Sequence, residues 1–101
     1  MPTEARGIGY EIFKNVVIAL LTLYKLEKRG FTPTVSDFLK EADLSRSVFF
    51  NHLKRNLEHA GWVTFKVNPD RTITMHLTPK GKKVAQTLAT IENELKEAGI
   101  L

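Results

Sequence analysis

The amino-acid sequence predicts a single α+β domain that is mainly α-helical, with a core of three helices, a two-stranded hairpin and a C-terminal helix. Three observations predict this architecture. Apolar residues recur at helical spacing near both ends of the chain, and two capped helical stretches follow the first of these segments. Two strands that alternate between apolar and polar residues then flank a turn at residues 68–71. A chain of 101 residues has the length of one domain.

The first predicted helix runs from Gly9 to Arg29 and follows a flexible N-terminus at residues 1–8. It contains no proline, and its apolar residues form two stripes that cover more than half of its circumference. A basic last turn and Gly30 end it. Because a small domain has little other structure to cover such a helix, the pattern predicts that a second copy of the chain covers part of it.

Two capped helices are predicted next. Thr34 caps a short helix over residues 35–41, with Asp37 placed three residues later as the acidic partner of a capping box. Ser45 caps a third helix that runs to about Ala60, after which a glycine ends it.

A hairpin completes the predicted domain at residues 9–78. A last helix forms a separate C-terminal segment at residues 79–101. Residues 62–67 and 72–77 alternate as strands, and Asn, Pro and Asp between them are typical of a turn. The last helix begins with a threonine cap and a proline at its first helical position.

The C-terminal helix carries an apolar seam with coiled-coil-like spacing. One interpretation is that the seam packs back on the first helix of the same chain. Together with the very apolar first helix, however, it favours a homodimer formed through the first and last helices. The predicted contact residues are Ile12, Val16, Leu23, Val84, Leu88, Ile91 and Leu95.

Charge and composition limit the function classes. The net charge is +4, and residues 31–83 carry a net +4 whereas residues 84–101 carry a net −2. A polyanionic partner would therefore be attracted to the middle of the chain. The chain has no cysteine, which excludes disulfides, thiolate metal sites and cysteine nucleophiles. No apolar run is long enough to span a membrane and no signal core is visible, so we expect a cytoplasmic protein.

Catalytic and metal sites are not indicated by the pattern. The three histidines lack a fourth ligand and any metal-binding spacing. The acidic residues of the second helix are interpreted as capping and solubilising groups, because no partner for acid–base chemistry accompanies them. We therefore expect no enzymatic activity, no metal and no cofactor.

The order of elements and three local motifs resemble the winged helix-turn-helix family. Residues 34–55 (TVSDFLKEADLSRSVFFNHLKR) look like the helix-turn-helix of MarR- and PadR-type regulators of bacteria and archaea. Residues 57–63 (LEHAGWV) resemble the passage from the recognition helix into the hairpin, or wing. Residues 77–81 (LTPKG) resemble the passage from the wing into the last helix, and the whole resemblance covers about residues 10–95.

This resemblance implies a dimeric regulator of transcription that binds double-stranded DNA, with the recognition helix at residues 45–60 in the major groove. The helix has an apolar side for anchoring and a polar, basic side for reading bases. Asn51 matches adenine and Arg55 matches guanine in their hydrogen-bonding pattern, and the helix N-terminus attracts phosphate. The predicted contacts on this helix are Ser45, Arg46, Ser47, Asn51, Lys54 and Arg55.

The wing at residues 62–77 is predicted to lie on the adjacent DNA backbone or minor groove, with contacts from Lys66, Arg71 and Thr72. Two alternatives stay open at this point. One is a chromatin-type protein that binds DNA without sequence preference. The other is a winged helix that contacts only proteins.

Overall fold

A computed structural model describes the backbone of residues 2–101 and the side chains of residues 9–101. Its elements follow the predicted order: α1 (Pro2–Lys28), α2 (Val35–Ala42), α3, β1 (Val63–Val67), β2 (Ile73–Leu77) and α4 (Pro79–Glu97). Helix α3 is continuous but consists of three segments, Arg46–Val48, Phe49–Leu53 and Lys54–His59. The middle segment is a π-helix. Strands β1 and β2 form an antiparallel hairpin in which Val63 pairs with Leu77.

The predicted caps are present. Thr34 and Asp37 form the reciprocal hydrogen bonds of a capping box at α2, and the Ser45 hydroxyl accepts a hydrogen bond from the Val48 backbone N–H. The Thr78 hydroxyl caps α4 in the same way by accepting from the Gly81 N–H. Each of these bonds satisfies a backbone donor that has no partner within its own helix, which explains where the three helices begin.

Helix α1 begins at Pro2, seven residues before the predicted start at Gly9. Proline is well suited to the first turn of a helix, and the helix continues through Gly7 despite the low helix propensity of glycine. The expected flexibility of residues 1–8 concerns a segment whose side chains lie outside the described residues, so it stays a prediction.

The core lies around the C-terminal half of α1, which packs against α2, α3, β2 and α4 of its own chain. Leu23 is fully buried in this core. Its predicted role as a contact between two copies is therefore wrong, because neighbouring elements of the same chain cover this side of α1. The seam residues Val84 and Leu88 also pack against the core, in agreement with the interpretation in which the seam folds back on α1.

The Glu27 carboxylate of α1 links this helix to β2 and α4. Glu27 of α1 accepts a hydrogen bond from the backbone N–H of Leu77 at 3.0 Å and pairs with Lys82 of α4 at 3.6 Å. On the same edge of β2, which faces away from β1, the extended segment before α2 adds a bridge between Thr34 and Thr74. The hairpin base is therefore fixed to α1, α2 and α4 by polar contacts as well as by packing.

The far end of the hairpin projects beyond the core. Val63, Phe65 and Val67 alternate onto one side of β1, but only Val63 is buried and Val67 is 70% exposed. Burial of this side of β1 therefore decreases towards the hairpin tip, and Val67 lies outside the core.

Candidate nucleic-acid interface

The π-helical segment sets the faces of α3. The backbone N–H of Lys54 donates to the carbonyl of Phe49, five residues earlier, instead of the usual four. The buried residues Phe49, Leu53 and Leu57 are each four positions apart. In a regular α-helix, two such steps would rotate the third residue about 80° away from the first. The wider π turn removes this offset and keeps all three residues in the core.

The same geometry aligns the exposed residues of α3. Residues two positions apart on a helix point about 200° away from each other. Each core residue of α3 is therefore matched by an exposed residue on the opposite side, two positions earlier. These residues form what we call the outer row, which consists of Ser47, Asn51 and Arg55. His59 continues this row and is exposed, although the sequence analysis did not include it among the predicted contacts.

A second row lies beside the outer row. Its members follow the core residues by one position and therefore point about 100° away from the core. We call it the side row, which consists of Phe50, Lys54 and Glu58, with Arg46 at its N-terminal end. The Phe50 ring in this row is 44% exposed.

Most polar side chains at the start of α3 already have partners. The Asn51 amide donates to the Ser47 hydroxyl at 3.2 Å, and Arg46 donates to the Ser36 hydroxyl of α2 at 3.0 Å. The Ser45 hydroxyl is occupied by the cap. These contacts hold the side chains at fixed positions on an exposed surface, which lowers the entropy cost of binding a partner.

Lys54 and Arg55 are neighbours in sequence but differ in their surroundings. The Lys54 ammonium pairs with Glu58 at 3.0 Å and lies 4.7 Å from the centre of the Phe65 ring on β1. It thereby joins α3 to the hairpin. Arg55 is exposed, and among the described residues no carboxylate forms a salt bridge with it. Of the two predicted basic contacts, Arg55 is thus the one available to an outside partner.

Side-chain hydrogen bonds hold the hairpin tip. The Thr72 hydroxyl donates to Asp70 at 2.6 Å and accepts from the Asn68 amide at 3.1 Å. Hydrogen bonds from the Thr72 hydroxyl and then its backbone N–H lower the pKa of the Asp70 carboxyl below its ordinary value. The predicted contact residue Thr72 therefore organises the turn through its side chain, and Asp70 stays ionised at neutral pH.

Arg71 occupies an unusual backbone conformation at this tip. Its φ is +72°, in the left-handed region that normally favours glycine, and its N–H donates to the Asn68 carbonyl at 2.9 Å. A hairpin loop of this kind commonly places glycine at the left-handed position. A non-glycine residue there costs about 1 kcal/mol. Arg71 and Lys66 are both exposed, so each presents a positive charge to solvent.

Neither a metal-binding cluster nor a membrane-spanning helix is found in the part of the chain that the structure describes. Among residues 9–101, no group of three or more histidine, cysteine, aspartate or glutamate side chains comes together in an arrangement suited to a metal ion. Across the same residues, no helix combines the length and apolar character required to cross a membrane.

Comparison with known proteins supports the fold. A family model described as an ArnR1-like, winged-helix domain matches residues 8–95. No curated protein matches the chain by sequence.

Several solved structures are similar. A Staphylococcus aureus MepR–DNA complex superposes with a TM-score of 0.72 at 21% identity, covering 98% of this chain and 80% of that one. The heme sensor PefR, in complex with heme and carbon monoxide, gives a TM-score of 0.63 at 21% identity, covering 97% and 77%. Disulfide-formed AbfR gives 0.60 at 22% identity, covering 96% and 74%. At these identities, the likeness establishes the fold.

Proposed function

The chain belongs to the ArnR1-like winged-helix domain family, and on this premise we propose that it is a transcription regulator that binds double-stranded DNA. Helix α3 would enter the major groove, and the β1–β2 hairpin would lie on the adjacent backbone or minor groove. The observation that carries the proposal is the outer row of α3, which presents Ser47, Asn51 and Arg55 along one exposed line. With DNA as its partner, the protein would act in the cytoplasm. The proposal includes no catalytic step.

The residues of the outer row have the chemistry that base reading requires. The Asn51 amide and the Arg55 guanidinium are side chains that form paired hydrogen bonds with adenine and guanine edges, respectively. The buried back of α3 fixes the direction in which these side chains point. Ser45, Arg46, Lys66, Arg71 and Thr72 border this row or lie on the hairpin, where they would contact or position the phosphate backbone.

Selection of bound sites from random duplex DNA tests the proposal. We expect a recovered consensus and an affinity that falls with rising salt concentration, since lysine and arginine contacts release counterions from DNA. Equal binding to all duplexes would instead identify a chromatin-type protein. Absence of any salt-dependent binding would leave protein contact as the function of the fold.

We further propose that two copies associate through the outer parts of α1 and α4. The buried Leu23 is excluded from this interface, whereas Ile12 and Ile91 are 40% and 50% exposed. Large apolar residues in the first part of α1 and just after α4 are also exposed, namely Tyr10, Phe13, Ile100 and Leu101. An accumulation of exposed apolar residues at the ends of two packed helices favours a protein partner. A two-fold pair would place two α3 helices roughly 34 Å apart on a palindromic site.

Introducing a charge on this surface should separate the two copies. We expect Phe13→Glu and Ile91→Glu each to raise the dimer dissociation constant at least about tenfold, because a carboxylate would be buried without a partner. Sedimentation equilibrium measures this constant. The matched control is Val67→Glu, which changes an exposed apolar residue on the hairpin and should leave association unchanged. Equal effects of all three variants would contradict the proposed interface.

The strain at Arg71 allows DNA contact and folding to be tested separately. Arg71→Gly and Arg71→Ala should weaken binding to any duplex several-fold and lower the salt dependence by about one ion, because one phosphate contact is lost. The glycine variant should retain its stability to within about 1 kcal/mol, since relief of the left-handed backbone offsets the greater freedom of the unfolded chain. The alanine variant keeps the strain. Fluorescence anisotropy at several salt concentrations gives the binding result, and unchanged affinity in both variants would remove Arg71 from the interface.

A further inference from the structure

An aromatic ring lies exposed beside the polar outer row of α3. Phe50 is 44% exposed, although the residues on either side of it in sequence are a buried core phenylalanine and the exposed Asn51. Exposed phenylalanine on a surface of short polar and basic side chains is unfavourable in water and is typical of a contact surface. The ring is not required to fill the core, because Phe49 already occupies that position.

The Phe50 ring is held in place by its neighbours. Its plane is nearly perpendicular to that of Phe49, at 88°, with the ring centres 5.0 Å apart. The Arg46 guanidinium lies 6.0 Å from the centre of the Phe50 ring. Arg46 is itself anchored by its hydrogen bond to Ser36. A ring that is already restricted loses little further freedom when it meets a partner, so the contact would be efficient.

The location of Phe50 identifies the chemistry of this partner. In the side row it follows Phe49 by one position, so it points about 100° away from the core and borders the line of Ser47 and Asn51. If that line faces base edges in a major groove, the Phe50 ring faces the same groove. The 5-methyl group of thymine is the apolar group that the major groove displays.

We propose that Phe50 is a specificity-determining residue that recognises the methyl group of a thymine within one or two base pairs of the base read by Asn51. This inference rests on the proposed function of α3 as a DNA-reading helix. Packing of the ring against the methyl group removes apolar surface of both from water, and removal of one buried methyl group corresponds to about a fourfold loss of affinity.

Replacement of thymine by deoxyuridine tests the inference because it removes only the methyl group. Each thymine of the selected duplex is replaced in turn, and dissociation constants are measured by anisotropy for the parent protein and for Phe50→Ala. We expect one position per half-site at which deoxyuridine weakens the parent about fourfold. The same replacement should leave the affinity of Phe50→Ala unchanged.

Two further variants complete the experiment. Val48→Ala removes another exposed apolar side chain, 38% exposed and one position after Ser47, and it should keep the fourfold discrimination. Phe50→Leu keeps an apolar contact and should retain part of the discrimination against deoxyuridine. Thermal unfolding verifies that each variant is folded. Failure of the parent to bind any duplex overturns the proposed function together with this inference. Binding without a thymine in the consensus, or with the same deoxyuridine effect in Phe50→Ala as in the parent, overturns the inference alone.

Discussion

Replacing Gly81 by alanine is expected to lower the free energy of unfolding by about 3 kcal/mol. A Cβ atom on Gly81 would overlap the backbone oxygen of Trp62, far inside any permitted contact. The backbone there has little freedom to move. The Trp62 carbonyl accepts from the Thr78 N–H at 2.9 Å, and the Gly61 carbonyl accepts from the Thr78 hydroxyl at 2.6 Å.

Thermal unfolding followed by circular dichroism measures this effect. For a domain of this size, the loss corresponds to a fall in Tm of more than about 10 °C. Gly9→Ala is the matched control, because Gly9 is also helical but nothing lies within 4 Å of its added Cβ atom. It should raise stability by about 0.5–1 kcal/mol through the better helix propensity of alanine. If Gly81→Ala left Tm unchanged or raised it, as Gly9→Ala should, the close contact between α4 and the segment before β1 would be disproved.

Arg55→Ala is expected to weaken binding to the selected DNA site by about 5- to 150-fold, the loss that corresponds to one bidentate contact with guanine. Binding to unrelated duplex should change much less, because the contact is to a base and not to the backbone. A repeated selection with the variant should lose the preference for guanine at one position of each half-site.

The neighbouring Lys54→Ala variant is the control for this result. The Lys54 ammonium is already engaged by Glu58 and the Phe65 ring, so its removal should change DNA affinity less than about threefold, as expected of a charge outside the direct contacts. A larger loss for Lys54→Ala than for Arg55→Ala would mean that α3 faces the DNA with a rotation one residue away from the one proposed.

The sequence predicted the fold well because its signals were local. Thr34, Ser45 and Thr78 mark helix starts through side-chain hydrogen bonds that span only three residues, and the structure confirms all three. The hairpin was equally clear, because alternation and turn residues are adjacent in the chain. The early start of α1 was missed since residues before Gly9 carry a weak periodic pattern, which did not indicate that the helix continues.

The features that could not be predicted from sequence depend on which elements pack against each other in the fold. Periodicity shows that α1 is apolar around most of its circumference, but not that its own chain covers Leu23. Likewise, the contact between Lys54 and the Phe65 ring depends on where the hairpin packs. The π turn had one sequence signal, the repeated spacing of four between Phe49, Leu53 and Leu57, which a regular helix would not keep on one side.

That π turn also affects how the helix tolerates changes in length. A helix normally loses its core register when one residue is removed, because everything beyond the deletion rotates by about 100°. Here the wider turn accommodates one residue more than an α-helix needs. Deleting a residue between Phe49 and Leu53 would leave core spacings of three and four, which suit a regular α-helix. A one-residue deletion during evolution would therefore shorten this segment and change which residues face outwards, while the hydrophobic side of the helix would stay packed in the core.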